Sequence, residues 1–208
     1  KIHFDSIRVD YATFSDLKNL NENVKLKIPL RSSYLTFSDL AAFVPAFANL
    51  NTKVDAEIDI SGRISSLKFN QIQLKFGNSF VLNAKADFTG LPNVDETFIY
   101  ANINDLHFER YDLQDFIAGL TKKPFVLPKE LNQLGMVRYN GNISGFLNNL
   151  VAYGKLRSNV GTITTDILLQ YNTKSQHLAY NGSIKSSNIQ LNKILSNNQF
   201  GLFSFNFN

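Results

Sequence analysis

The sequence predicts an all-β fold with a few short helices, arranged as an elongated antiparallel sheet of stacked repeats. Three observations carry that expectation. Apolar and polar residues alternate with period two along several long segments, turn residues separate those segments, and the whole pattern recurs after roughly 80 residues.

Taken in chain order, Val24, Leu26, Ile28 and Leu30 alternate with Lys25, Lys27, Pro29 and Arg31. Val54, Ala56, Ile58 and Ile60 alternate with Asp55, Glu57, Asp59 and Ser61. A strand over Leu67–Phe76 follows, with a slip of phase at Asn70-Gln71 that predicts a β-bulge. Gly77-Asn78 suits the tight turn into the next strand, where Phe80, Leu82, Ala84, Ala86 and Phe88 alternate with Val81, Asn83, Lys85 and Asp87. Thr89–Glu96 reads as a longer turn, Tyr100–Phe108 as a strand, and Gly161–Tyr171 as a long strand carrying Ile163, Ile167 and Leu169 in phase. Asn172–Gln176 then turns the chain into a strand over Leu178–Ile184. Side chains of a strand point alternately to its two faces, so each segment has one apolar and one wet face, as antiparallel sheets permit.

Helical signals are short. Ser38-Asp39 is placed to cap a helix carrying Leu40, Phe43 and Phe47, and Asp112 to cap one carrying Leu113, Phe116, Ile117 and Leu120. Pro128 stands where a first turn begins before KELNQLG.

The chain has 208 residues, 44% of them hydrophobic, enough to bury a core. Charged residues are 18% and the net charge is +4, with no clustering: Lys25, Lys27 and Arg31 share a strand face, and Lys122-Lys123 lie in a loop. Without a basic stripe interleaved with exposed aromatics, no nucleic-acid partner is expected. The absence of cysteine excludes disulfides, thiolate metal sites and a cysteine nucleophile. His3, His107 and His177 lack metal-ligand spacing. No catalytic motif is present, so the expectation is a protein without enzymatic activity, catalytic residues, metal or cofactor. The longest near-apolar stretch, Leu40–Leu50, is too short to span a bilayer and contains Pro45.

The repeat is traced by ISGRIS (Ile60–Ser65) against YNGNIS (Tyr139–Ser144), pairing Gly62 with Gly141, and by Tyr100–Phe108 against Tyr180–Leu191. A short helix follows each of the latter, at Asp112–Ile117 and Leu191–Leu195. The expected organisation is one continuous fragment, 1–208, of a longer repeat domain, with units near 1–50, 51–125 and 126–208. Phe203, Phe205 and Phe207 alternate with Ser204 and Asn206 as a strand. Stacked units that each expose an apolar face would form one long apolar surface.

The run Leu127–Tyr171 resembles AsmA/TamB-like proteins in their Bacteroidetes form. The resemblance rests on Leu127, Pro128, Leu131, Leu134, Gly135, Gly141, Gly145 and Gly161, in an LP-x-x-L-x-x-LG lead-in followed by Gly-bearing strands, and on Ile60–Phe80 upstream. The sequence departs from the family at Arg157-Ser158-Asn159, where many members have Thr before the downstream Gly strand. The resemblance implies a U-shaped, open-ended antiparallel sheet, the β-taco. It also implies a periplasmic location, with an inner-membrane anchor outside this stretch, and phospholipid acyl chains carried along the trough toward the outer membrane. The alternative it implies is a structural or chaperoning module that assists assembly or secretion of outer-membrane β-barrel proteins.

On that reading the trough is lined by Val54, Ala56, Ile58, Ile60, Phe80, Leu82, Ala84, Phe88, Ile163, Ile167 and Leu169. The competing expectation is that these residues pack together as an ordinary closed core. Asp55, Glu57 and Asp59 then form a solvated outer row. A glycan-binding module would place Tyr and Asn on the outer face, whereas most Tyr positions read as lying on the apolar phase.

Overall fold

A computed structural model describes residues 3–41, 48, 50–121, 126, 129–172 and 177–207. The strands are β1 (His3–Phe4), β2 (Arg8–Asp10), β3 (Lys25–Thr36), β4 (Lys53–Arg63), β5 (Ser66–Phe76) and β6 (Phe80–Thr89). They continue as β7 (Phe98–Phe108), β8 (Val137–Phe146), β9 (Asn149–Ser158), β10 (Gly161–Asn172), β11 (His177–Gln190) and β12 (Leu202–Phe207). The α-helices are α1 (Leu20–Asn23), α2 (Arg110–Thr121) and α3 (Leu191–Ile194). Among the described residues no helix is long and apolar enough to cross a membrane.

From β3 to β12 every strand pairs antiparallel with the next in sequence, and β1 and β2 both pair along the outer edge of β3. The fold is therefore all-β, one open sheet whose two ends do not join. Nine spacings between ten strands give it a length of about 43 Å. Four strands followed by a helix occur twice in succession, as β4–β7 with α2 and β8–β11 with α3.

Among the described residues the bulges fall on alternate strands. The predicted one lies in β5, where Phe69 and Ile72 pair with Ala86 and Ala84 across a register shift. Three more lie in β3 between Leu30 and Ser33, in β7 between Ile103 and Leu106, and in β11 between Ser186 and Ile189. Each places successive inward residues three apart opposite partners two apart, which kinks the strand and increases its twist. The bulge at Ser187-Asn188 also carries β11 beyond the expected Ile184 to Gln190, with Asn188 at φ 57.

The helical expectations need correction at their caps. Thr36 caps the turn after β3, with Asp39 accepting from Thr36 N at 2.8 Å and from its Oγ1 at 2.9 Å. The segment it caps is a short 3₁₀ turn at Phe37–Leu40, so Thr36 and not Ser38-Asp39 stands at the cap. The Asp39 carboxyl is held below its ordinary pKa, first by the Thr36 backbone N–H and then by the Thr36 hydroxyl. Asp112 lies inside the first turn of α2 rather than capping it, because its carboxylate is turned to the β5–β6 hairpin. Lys129–Leu134 forms a 3₁₀ turn. Phe43, Phe47, Lys122, Lys123, Leu127, Pro128 and the 173–176 turn lie outside the described residues, and so does the Leu120 side chain.

The repeat itself is shifted from its sequence echo. Gly62 pairs with Leu67 and Gly145 with Leu150, and Leu67, Phe88, Ile99 and Gly145 are successive partners in one lateral row. Gly145, not Gly141, is thus the counterpart of Gly62. Both adopt the left-handed region, φ 111 and φ 130, and a Cβ on either would run into a carbonyl oxygen of the adjacent strand. The second echo slips by one residue. Tyr180 follows Leu169 and Leu150 in the row of Ile99 and so faces inward, while Tyr100 pairs with Asp87 and Ser144 on the outer face.

Candidate functional site

The strand register brings all eleven predicted lining residues onto one face. One lateral row runs Ala56, Leu74, Leu82, Leu106, Tyr139, Leu156, Ile163 and Ser186. A second runs Ile60, Phe69, Ala86, Ala101, Ile143, Ala152 and Ile167. Between them Ile58, Ile72, Ala84, Ile103, Gly141, Gly154, Thr165 and Ile184 form a third. Phe88 and Leu169 share the row of Gly145, and Val54 and Phe80 lie at the other end of their strands. None of the paired positions in these rows is charged. Charges occupy the opposite face, with Asp55, Glu57 and Asp59 on β4 and Lys68 and Lys75 on β5.

The two halves of this face differ in how they are covered. In the first unit Val54 is 1% exposed and Ala56 0%, and Ile58, Ile60, Phe80 and Ala84 are buried too. Leu82 and Phe88 are half-buried and pack against that core. Here the closed-core arrangement is what the structure contains: protein already covers six of the eleven positions. In the second unit Ile163, Ile167 and Leu169 are only half-buried. Exposure rises further toward β12, where Phe203 is 47% and Phe207 63% exposed.

An aromatic cluster closes one end of the first unit. Phe116 of α2 lies 5.4 Å from the ring of Phe76, 5.4 Å from Phe37 and 5.8 Å from Phe80, and Phe76 stacks on Phe80 at 4.0 Å. Such pairs prefer offset and tilted geometries and add to burial. The helix is latched there by Asp112, whose carboxylate accepts from Ser79 N at 2.6 Å, Ser79 Oγ at 2.6 Å and Asn78 N at 3.1 Å. In turn, Ser79 Oγ accepts from Glu109 N at 2.7 Å. The matching helix of the second unit, α3, spans four residues, LNKI, and has no aromatic.

The middle of the face holds a feature the sequence reading missed. Gly141 and Gly154 pair directly, and the Tyr139 ring lies across them. A Cβ on Gly154 would stand 2.5 Å from Asn140 O and 2.7 Å from Tyr139 Cζ. The bare glycine backbone is what lets the ring lie flat on the sheet. Burial pushes the Tyr139 phenol above its ordinary pKa, and Thr165 opposes that rise. Thr165 is near enough to temper the Tyr139 phenol but not in hydrogen-bonding geometry: among the described residues neither Tyr139 Oη nor Ser186 Oγ, both buried and in the same lateral row, has a hydrogen-bond partner. The available signal was the spacing Tyr139-x-Gly141 set against Gly154, which only the β8–β9 register turns into contact.

The tyrosines divide between faces rather than collecting on the apolar one. Tyr139, Tyr171 and Tyr180 face inward, whereas Tyr34, Tyr100 and Tyr153 face outward opposite Asp55, Ser144 and Asn142. No family model, no curated protein and no solved structure matches the chain.

Proposed function

We propose that this chain is a segment of an AsmA/TamB-like bridge across the periplasm that conducts phospholipid acyl chains along its inner face toward the outer membrane. Its anchor in the inner membrane lies outside this stretch, and no chemistry is performed on the lipid. The observation that carries the reading is the unbroken, uncharged inner face of an open sheet, left half-covered from β8 onward.

The physics requires no tight site. Moving acyl chains through water costs about 0.8 kcal/mol per CH₂, so a sheltered apolar path removes the main barrier to crossing. Contacts along that path must be weak and repeated, because a deep well would retain the lipid. On this reading the buried residues of the first unit form a packed wall. The surface that meets the acyl chain is Ile163, Ile167 and Leu169, with Leu82 and Phe88 at its margin.

The test is phospholipid co-purification, measured by native mass spectrometry on the wild type and on Ile167→Asp. The expected result is bound phospholipid on the wild type and its loss in a variant of unchanged circular dichroism. A folded Ile167→Asp protein carrying as much lipid as the wild type overturns the conducting role.

A further inference from the structure

We infer that the outer face of β7–β9, the side opposite the inner trough, binds a neutral glycan of N-acetylated sugars. The inference is independent of the lipid reading. Two outward rows cross here: Tyr100, Ser144, Val151 in one, and Asn102, Asn142, Tyr153 in the next. Tyr100 is 45% exposed and Tyr153 56%, on neighbouring rows two strands apart, so their Cα atoms are about 12 Å apart on the pleated surface. That spacing lets two rings stack on different sugars of one chain.

The amides between them are already oriented. Asn102 Nδ2 donates to Asn142 Oδ1 at 2.8 Å. This leaves Asn102 Oδ1 as an acceptor and Asn142 Nδ2 as a donor, side by side on the surface. An acetamido group presents the complementary pair: its N–H to Asn102 Oδ1, its carbonyl to Asn142 Nδ2. Val151, exposed beside them, meets its methyl.

Charge and size select the same kind of ligand. The two rows carry no charge between β7 and β9, and the charges that adjoin them balance: Lys85 and Asp87 of β6 pair with Asn102 and Tyr100, Asp166 of β10 pairs with Tyr153, and Lys155 stands in the next outward row of β9. The corresponding outer face of β4 and β5 is charged. Including the neighbouring Phe98–Phe146 pair, whose rings meet edge-on at 5.5 Å, the exposed apolar area is on the order of 500 Å². A stable protein interface needs about 800 Å² per partner. A slender uncharged polymer fits this surface better than a second copy of the chain.

The experiment titrates the protein with chitohexaose, and with cellohexaose as the analogue lacking acetamido groups, by NMR or calorimetry. Chitohexaose is expected to bind saturably and better than cellohexaose. Tyr153→Ala is expected to lower that affinity about tenfold, as loss of one stacking partner predicts. Asn142→Ala is expected to remove the preference over cellohexaose. Because Tyr153 and Tyr100 are exposed, either can be replaced in a folded protein, and Tyr100→Ala serves as the second stacking variant. Absence of binding by both hexamers, equal binding of the two, or full affinity in both tyrosine variants overturns the assignment. So does a patch whose tyrosine variants alter self-association instead.

Discussion

Truncating one inward residue in each of the two units separates a filled interior from an open one. Ile58 and Ile167 both sit on β-strands, in adjacent lateral rows of the same face, yet Ile58 is buried in the core cluster and Ile167 is half-buried. Replacing Ile58 with Ala removes buried methyl and methylene groups and leaves a cavity, because Leu30 and Ile72 on the flanking strands are held by their own ladders. The cost expected is about 2–5 kcal/mol. For a domain of this size about 1 kcal/mol moves the melting temperature by about 2–4 °C, so Ile58→Ala lowers it by about 4–20 °C. Ile167→Ala forms no closed cavity and loses only the covered part of its surface, so about 1 kcal/mol and a few degrees are expected. The assay is thermal and urea unfolding followed by far-UV circular dichroism. Equal losses at the two sites, both at the upper figure, would show the second unit to be as tightly sealed as the first. An acyl-chain path on β8–β11 would then have no surface to use.

Three further outcomes follow from particular contacts. Gly154→Ala drives a Cβ against Asn140 O and the Tyr139 ring and is expected to cost about 1–3 kcal/mol in urea unfolding, while Tyr139→Phe, which removes a buried hydroxyl without a partner, is expected to be neutral or stabilising. A Tyr139→Phe protein destabilised by more than about 1 kcal/mol refutes the orphan-hydroxyl account. Asp112→Ala frees the β5–β6 turn from α2 and is expected to lower stability by about 1.5–3 kcal/mol and to raise Phe116 solvent accessibility in hydrogen–deuterium exchange of the helix, unchanged exchange there counting against the latch. The Tyr139 phenol has its pKa raised in the folded state by burial, so its ionisation favours unfolding: that contribution is intact below the ordinary tyrosine pKa of about 10 and is lost as pH rises through the higher folded value. Unfolding midpoints between neutral and strongly alkaline pH are expected to fall less steeply in Tyr139→Phe than in the wild type.

The alternation of apolar and polar residues was enough to locate most of the long strands, though not β1, β2 or the bounds of β8 and β9, to place one bulge and to put all eleven inward residues on a common face. A two-residue period assigns each side chain to a face with no knowledge of its neighbours. What it leaves open is register, because a slip of one residue reverses the face while the sequence similarity looks unchanged. The echo of Tyr100 in Tyr180 is such a slip, since the ladders set Tyr180 in the row of Ile99; the echo of Gly62 in Gly141 keeps the face but misses the row by four residues, and the ladders give Gly145 instead. The bulges at Ser187-Asn188 in β11 and between Ile103 and Leu106 in β7 absorb residues that a strict period would count.

Amphipathic antiparallel strands, with the charges on one side, follow from the residue pattern alone. Burial of apolar surface and the pleat of the backbone act locally, along each strand. How far that apolar side is filled is a property of the folded chain as a whole. Coverage depends on what is brought over it from elsewhere in the chain: α2 is latched at Asp112 and carries Phe116 onto Phe76 and Phe80, while α3 brings no aromatic to the second unit. Likewise Tyr139 meets Gly154, and Asn102 meets Asn142, through cross-strand pairing between residues distant in sequence.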